Sequence, residues 1–293
     1  MKAATFANRH LFRPFMSLRE NVISHQRLSV YSGEMPESAR TSHEKIKNNF
    51  GFTKIDSEKK QEKVDDVFTT VAAKYDLMND AMSFGIHRIW KDIFMKRLSP
   101  TPGTKLLDVA GGTGDIAFRF LRYLKNEEPP GHVTICDINP KMLEVGRCRS
   151  LKLNYCTDRI EWAECNAETL PFENDAFDAY TIAFGIRNVT HITKVLDEAY
   201  RVLRPGGRFM CLEFSRINPN LQQLYDEYSF QIIPVMGEVI AGEWKAYQYL
   251  VESIRNFPDQ ESFKELIQQA GFRLVTYENL SFGVVAIHSG FKL

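Results

Sequence analysis

The chain has 293 residues, 44% hydrophobic and 25% charged, with 37 basic side chains against 37 acidic. This is a globular chain of one large domain or at most two. No run of about 18 or more apolar residues occurs, so no membrane-spanning helix is expected.

Residues 1–33 differ from the rest: Lys2, Arg9, Arg13, Arg19 and Arg27 stand against the single acid Glu20. A basic, acid-poor, arginine-rich start reads as a mitochondrial presequence, and Arg13-Pro14 interrupts the apolar core that a secretory signal would need. Without these residues the chain holds 32 basic against 36 acidic groups, so nucleic acid is not an expected partner. Residues 34–63, rich in lysine and glutamate, read as a polar connector.

From Val64 strand and helix patterns alternate, which predicts an α/β sheet with helices on both faces. Residues 64–98 read as aromatic-rich helices containing Tyr75 and His87; His87 is a candidate base because its unperturbed pKa is near 6.5. Next comes a buried strand, 105–109, running into Ala110-Gly111-Gly112-Thr113-Gly114-Asp115. Glycines let backbone N–H groups approach a ligand closely. Asp108 and Asp115 flank the turn and favour a cationic ligand such as S-adenosyl-L-methionine over a pyrophosphate. Gly112-x-Gly114-x-x-Ala117 also satisfies the dinucleotide fingerprint, so the loop alone leaves both cofactors open.

Further strand-like runs fall at 132–136, 159–163, 179–183 and 208–213. Asp137 follows the second, where an acid accepts hydrogen bonds from a ribose; the competing role is helix capping. Asn139-Pro140 predicts a helix start. Asn166-Ala167 follows the third strand and suits an adenine edge, or is simply a polar turn. Arg187 and Asn188 follow the fourth, where an acceptor would face the cofactor. Arginine cannot serve as a base at neutral pH, but it stabilises a developing phenolate. Ile192, Val195, Leu196, Ala199, Val202 and Leu203 form one apolar helix face, stopped at Pro205-Gly206-Gly207. Residues 221–250 read as a helical insertion, followed by a helix at 259–270 and strands near 274–280 and 284–288. The five cysteines show no C-x-x-C spacing and read as reduced thiols, with no metal framework expected.

Several strings are peculiar: Val71-Ala72-x-x-Tyr75-Asp76-x-Met78-Asn79-Asp80, Leu107-Asp108-Val109-Ala110-Gly111-Gly112-Thr113-Gly114-Asp115 and Ala183-Phe184-Gly185-Ile186-Arg187-Asn188-Val189-Thr190. With Glu213-Phe214-Ser215 and Glu252-Ser253-Ile254-Arg255, they make residues 64–293 resemble the ubiquinone/menaquinone C-methyltransferase family. The resemblance implies the class I methyltransferase fold, an α/β architecture with a seven-stranded, mostly parallel sheet. It also implies methyl transfer from S-adenosyl-L-methionine to a ring carbon of a polyprenylated methoxy-benzoquinol in ubiquinone biosynthesis. The family's cofactor contacts map onto Thr113, Asp137, Asn166 and Ala167, beside Asp108, Gly111, Gly112 and Gly114 of the loop. Arg187 would stabilise the phenolate, Asn188 and Tyr75 would orient the ring, and a water or His87 would take the proton. Ala183 stands where some bacterial relatives have serine, and Glu243 and Ala246 replace the family's common Asp and Ser. The implied partners are the polyprenyl benzoquinol and other coenzyme Q biosynthesis proteins in a multi-enzyme complex. Peripheral contact with the matrix side of the inner membrane is implied too, with a homodimer left open.

Overall fold

In a computed structural model of the chain, the described residues are 47–50, 53–56, 75–155, 157–242 and 244–293, with Lys60, Lys63, Val64, Asp66 and Thr69. The expected presequence lies outside them, as do Cys156 and Glu243. Residues 45–293 form one compact unit. The connector read over 34–63 contributes a hairpin to it, β1 (Lys47–Phe50) paired antiparallel with β2 (Thr53–Asp56).

Leading into the main sheet are α1 (Tyr75–Ser83) and α2 (Ile86–Leu98), turning at Phe84-Gly85. The alternation then runs β3 (Lys105–Val109), α3 (Asp115–Tyr123), β4 (His132–Asp137), α4 (Pro140–Lys152), β5 (Ile160–Glu164), β6 (Phe177–Ala183), α5 (Ile192–Val202) and β7 (Leu203–Phe214). The insertion follows as α6 (Gln222–Glu227), α7 (Ile233–Met236) and α8 (Trp244–Asn256), with π-helical turns at Tyr228–Ile232 and Gly237–Ala241. The end of the chain is α9 (Gln260–Gln269), β8 (Arg273–Leu280) and β9 (Val285–Phe291).

The sheet order is β5-β4-β3-β6-β7-β9-β8, parallel except where β9 pairs antiparallel with both β7 and β8. Strands buried on both faces explain the near-continuous apolar runs, as in Leu106, Leu107 and Val109 of β3. On one side of the sheet Val195, Leu196, Ala199 and Val202 of α5 pack with Tyr180 and Phe209; a second cluster joins Phe118 and Phe120 of α3 to Leu106 and Ile135, and a third joins Met78 of α1 to Ile233, Ala246, Tyr247 and Val251 of the insertion. Beyond β3 the chain winds outward to β4 and β5, then returns past it to β6. The crevice at the carboxyl ends of β3 and β6 is therefore the switch point where such sheets bind ligands.

Two local readings differ from the structure. β7 begins at Leu203, so Pro205-Gly206-Gly207 is an irregularity within the strand, where the register against β6 shifts between Phe177 and Ala179. Cys136 and Cys165 form a disulfide, against the expectation of reduced thiols. They are 29 positions apart in sequence, but neighbouring parallel strand ends bring their Cα atoms to 5.8 Å. Cys148 and Cys211 are free.

Candidate active site

A cavity of about 270 Å³ opens at the carboxyl ends of the strands. Its first wall is the loop after β3. Gly111 is there because of close approach: a Cβ would sit 2.7 Å from Ile135 Cγ2 and 3.0 Å from Asp108 Oδ2. Gly114 holds φ at 81° where the loop enters α3.

Asp137 ties that loop to β4. Its Oδ2 accepts from the Gly112 amide at 2.8 Å, and Oδ1 from the Asn139 amide at 2.9 Å. The capping role belongs instead to Asn139, whose Oδ1 accepts from the amides of Lys141 and Met142. Asn166 makes the polar turn that competed with adenine binding, its Oδ1 accepting from the Glu168 amide at 2.9 Å. Both it and Ala167 line the cavity.

The flanking carboxylates depart from the simple picture of two free anions. Asp115 is neutralised: burial opposes its ionisation, yet Lys91 at 2.7 Å, Arg119, and Arg149 at 3.5 Å hold it below the usual carboxylate range. Its charge is already balanced by three cations, so Asp115 does not act as the free anion that the sequence suggests. Asp108 is buried, its Oδ1 accepting from Thr181 Oγ1 at 2.8 Å while Oδ2 has no partner among the described residues. Burial pushes Asp108 up to about 7. Thr113 is buried and accepts from Arg149 Nη1 at 3.4 Å.

The second wall is built around the turn after β6. Arg187 lies in the short turn Ile186–Asn188 after β6. Its Nη1 donates to Glu213 Oε1 at 2.9 Å and to the Phe184 carbonyl at 2.5 Å, and the guanidinium covers the Phe214 ring at 5.4 Å. Its Nε is buried without a partner among the described residues. Asn188 Oδ1 accepts from the Tyr249 hydroxyl at 3.2 Å. Trp90, Phe184 and Phe214 pack into an aromatic cluster at tilted and edge-on angles, with Phe184 and Phe214 centroids 5.0 Å apart. His87 lines the cavity from α2, its Nε2 2.8 Å from Asp80 Oδ1. Tyr75 opens α1, and its side chain lies outside the described residues.

The insertion closes the cavity with Tyr225, Tyr228, Ile233, Tyr247 and Leu250, and is held to α1 by the Tyr228 hydroxyl donating to the Met82 carbonyl at 2.7 Å. Ala183 and Ala246 also line it. Lys60 is buried and donates to the Val189 carbonyl at 2.6 Å, and Val64 is a lining residue.

Two structural residues escaped sequence reasoning. Glu168 Oε1 accepts from the amides of Thr190 and His191 at 2.7 and 2.9 Å, satisfying the start of α5 and fixing the segment that follows Arg187 and Asn188. Glu213 is buried beneath Arg187, and burial pushes its carboxyl up while Arg187 opposes the shift. The only sequence signal for Glu213 was its place in Glu213-Phe214-Ser215.

The residues fit an adenosyl ligand with a cationic methionine end: Asp137 and Asn166 for the nucleoside, the Gly111 cradle, and the unpartnered Asp108 Oδ2 beneath it. This sheet and this site define a class I S-adenosyl-L-methionine-dependent methyltransferase. Among solved structures, a SAM-dependent methyltransferase from Thermotoga maritima matches at TM-score 0.54 and 19% identity, covering 78% of this chain and all of that one. The phosphoethanolamine N-methyltransferase 2 of Haemonchus contortus, solved with S-adenosylhomocysteine, matches at TM-score 0.51 and 18% identity over 69% of this chain and 52% of its own. At such identities these show the fold.

The model of the ubiE/COQ5 methyltransferase family matches residues 56–292, and the chain belongs to that family. The mitochondrial 2-methoxy-6-polyprenyl-1,4-benzoquinol methylase of Drosophila melanogaster is 61% identical over 255 residues, covering 84% of this chain and 85% of the relative. The human protein of the same name is 53% identical over 298 residues, covering 90% and 91%.

Proposed function

We propose that the chain transfers a methyl group from S-adenosyl-L-methionine to a ring carbon of 2-methoxy-6-polyprenyl-1,4-benzoquinol, in ubiquinone biosynthesis. One observation carries this reading: a single cavity joins the nucleoside positions Asp137 and Asn166 to Arg187, Asn188 and the aromatic insertion. When bound, the donor's sulfonium supplies an electrophilic methyl group; the rest is alignment and charge.

Arg187 stabilises the phenolate that makes the neighbouring ring carbon nucleophilic. With Nη1 occupied by Glu213 and Phe184, its buried Nε is the donor to the ring oxygen. Asn188, held by Tyr249, orients the ring together with Tyr75. A water or His87 takes the proton. The tail runs along the apolar faces of Tyr228, Ile233 and Leu250.

The same reading puts the enzyme on the matrix side of the mitochondrial inner membrane, as a peripheral protein. It would work there beside other coenzyme Q enzymes, with a homodimer as one arrangement. Supporting it are the relatives' names, the absence of any membrane-crossing helix among the described residues, and the exposed Phe84, Ile232, Val235 and Val239 near the insertion. Transfer of labelled methyl to a short-chain 2-methoxy-6-prenyl-benzoquinol tests the reaction. A protein that binds S-adenosyl-L-methionine yet labels no quinol would sink it.

A further inference from the structure

Within the proposed reaction one proton must leave for each methyl group transferred. The ring hydroxyl gives up its proton as the oxygen pushes electrons into the ring. Once the adjacent carbon carries the methyl group, the hydrogen on that carbon passes to the oxygen and aromaticity returns. The balance is one proton released, and something must accept it.

His87 occupies the second position of α2, after the left-handed Gly85. Trp90 and Lys91, three and four residues on, share its face and also line the cavity, while Arg88 is exposed on the other side. The His87 side chain is 8% exposed. Its Nε2 is committed to Asp80 Oδ1 at 2.8 Å across the turn from α1. Asp80 is in turn gripped by Arg88, whose Nε and Nη2 donate to its two oxygens at 2.7 and 2.6 Å. Hydrogen bonds from Arg88 and then from His87 hold the Asp80 carboxyl below its usual range, so it is an anion and can only accept. The Nε2 proton is thereby fixed, and the unprotonated lone pair is left on Nδ1. That atom is buried and has no partner among the described residues.

We propose that His87 Nδ1 is the proton acceptor of the reaction and that Asp80 is its positioning residue, holding the ring in the tautomer that presents Nδ1. The inference rests on the quinol reaction proposed above. Burial lowers the His87 pKa from its ordinary value, against the opposing pull of Asp80, so the free base is present at neutral pH. The other charges acting on it are Lys91 on its own helix, which disfavours protonation, and Asp115 on α3, which favours it. A structural reading exists too: the same bonds could only staple α1 to α2. The test therefore needs readouts that a staple would not move.

Wild type, His87→Gln, His87→Ala and Asp80→Asn would be assayed for transfer to the short-chain quinol, for S-adenosyl-L-methionine affinity and for ¹⁵N shifts of labelled histidine. His87→Gln should lose about 10²- to 10⁴-fold in kcat at unchanged cofactor affinity. The acid limb of the wild-type kcat/KM profile, which falls below the ordinary histidine pKa, should vanish in that variant. Added imidazole should restore part of the His87→Ala activity. Asp80→Asn should cost about 10- to 100-fold, and the His87 nitrogen shifts should show loss of the Nε2–H tautomer. His87→Gln turning over within a few-fold of wild type with its acid limb intact would overturn the proposal. So would Asp80→Asn keeping both its tautomer and its rate. If wild type binds cofactor but methylates no quinol, the reaction itself is wrong, whereas unimpaired variants beside an active wild type refute only the roles of His87 and Asp80.

Discussion

Arg187 Nη1 lies 2.9 Å from Glu213 Oε1, and the two side chains are 4% and 1% exposed. The carboxylate also receives the amides of Phe214 at 2.9 Å and Arg187 at 3.3 Å, so the ion pair and the turn it sits in are one unit. A buried pair of this kind adds little net stability against an apolar pair of the same shape, but losing one partner strands the other. Its value here is orientation: with Nη1 anchored, the guanidinium is fixed over Phe214 beside the cavity.

Arg187→Met should therefore cost about 3–5 kcal/mol of stability, because Glu213 is left buried alone. It should also cost about 10²- to 10³-fold in turnover, with little change in cofactor affinity. Adding Glu213→Leu should recover most of the lost Tm and none of the turnover. Melting curves and kcat on the same samples separate the two effects. Turnover returning together with Tm would mean that Arg187 serves the fold alone.

Asp108 links pH to stability and to cofactor binding. Its folded pKa of about 7 stands above an unfolded value near 4, so between those pH values the folded state holds the extra proton. Its contribution is complete below about pH 4 and is lost as pH rises through about 7. Asp108→Asn should flatten this part of the Tm–pH curve. A cationic ligand beside Oδ2 favours the carboxylate, so S-adenosyl-L-methionine should bind with proton release and more tightly as pH rises toward 7. Calorimetry in buffers of different ionisation enthalpy reads the release directly, and proton uptake would contradict this role.

The loop and its acid should fail separately. Asp137→Asn weakens the charge-assisted bonds from Gly112 and Asn139 and those to a ribose, which should cost about 1.5–3 kcal/mol, roughly ten- to a hundredfold in cofactor Kd. Gly111→Ala drives a methyl group against Ile135 and Asp108, so stability should fall by about 1–3 kcal/mol, read as a lower Tm, and cofactor affinity should fall with it. A Gly111→Ala protein with wild-type affinity and Tm would show that the cradle is looser than its geometry.

The strand ends were legible in the sequence because runs such as 105–109 and 132–136 are bounded by glycine or by acid and amide caps. Those ends then put Asp108, Asp137, Asn166 and Arg187 around one crevice. Long-range pairing was not legible. Asp115 read as a free anion because Lys91, Arg119 and Arg149 converge on it only in three dimensions. Glu168 and Glu213 were ordinary acids until the α5 amides and Arg187 came to them. Cys136 and Cys165 carried no spacing signal, since strand adjacency alone brings them together. The β1–β2 hairpin lay hidden in a lysine-rich stretch whose composition argued against order.

The most direct test of the account is where the methyl group goes. Wild-type protein, S-adenosyl-L-methionine carrying a ¹³C-methyl group and the short-chain methoxy-benzoquinol would be combined anaerobically and the product examined by carbon NMR. The account predicts one new resonance at the shift of a methyl group on an aromatic carbon, formed wherever cofactor and quinol are both bound. A methyl group on oxygen, or none from a protein saturated with both ligands, would contradict it.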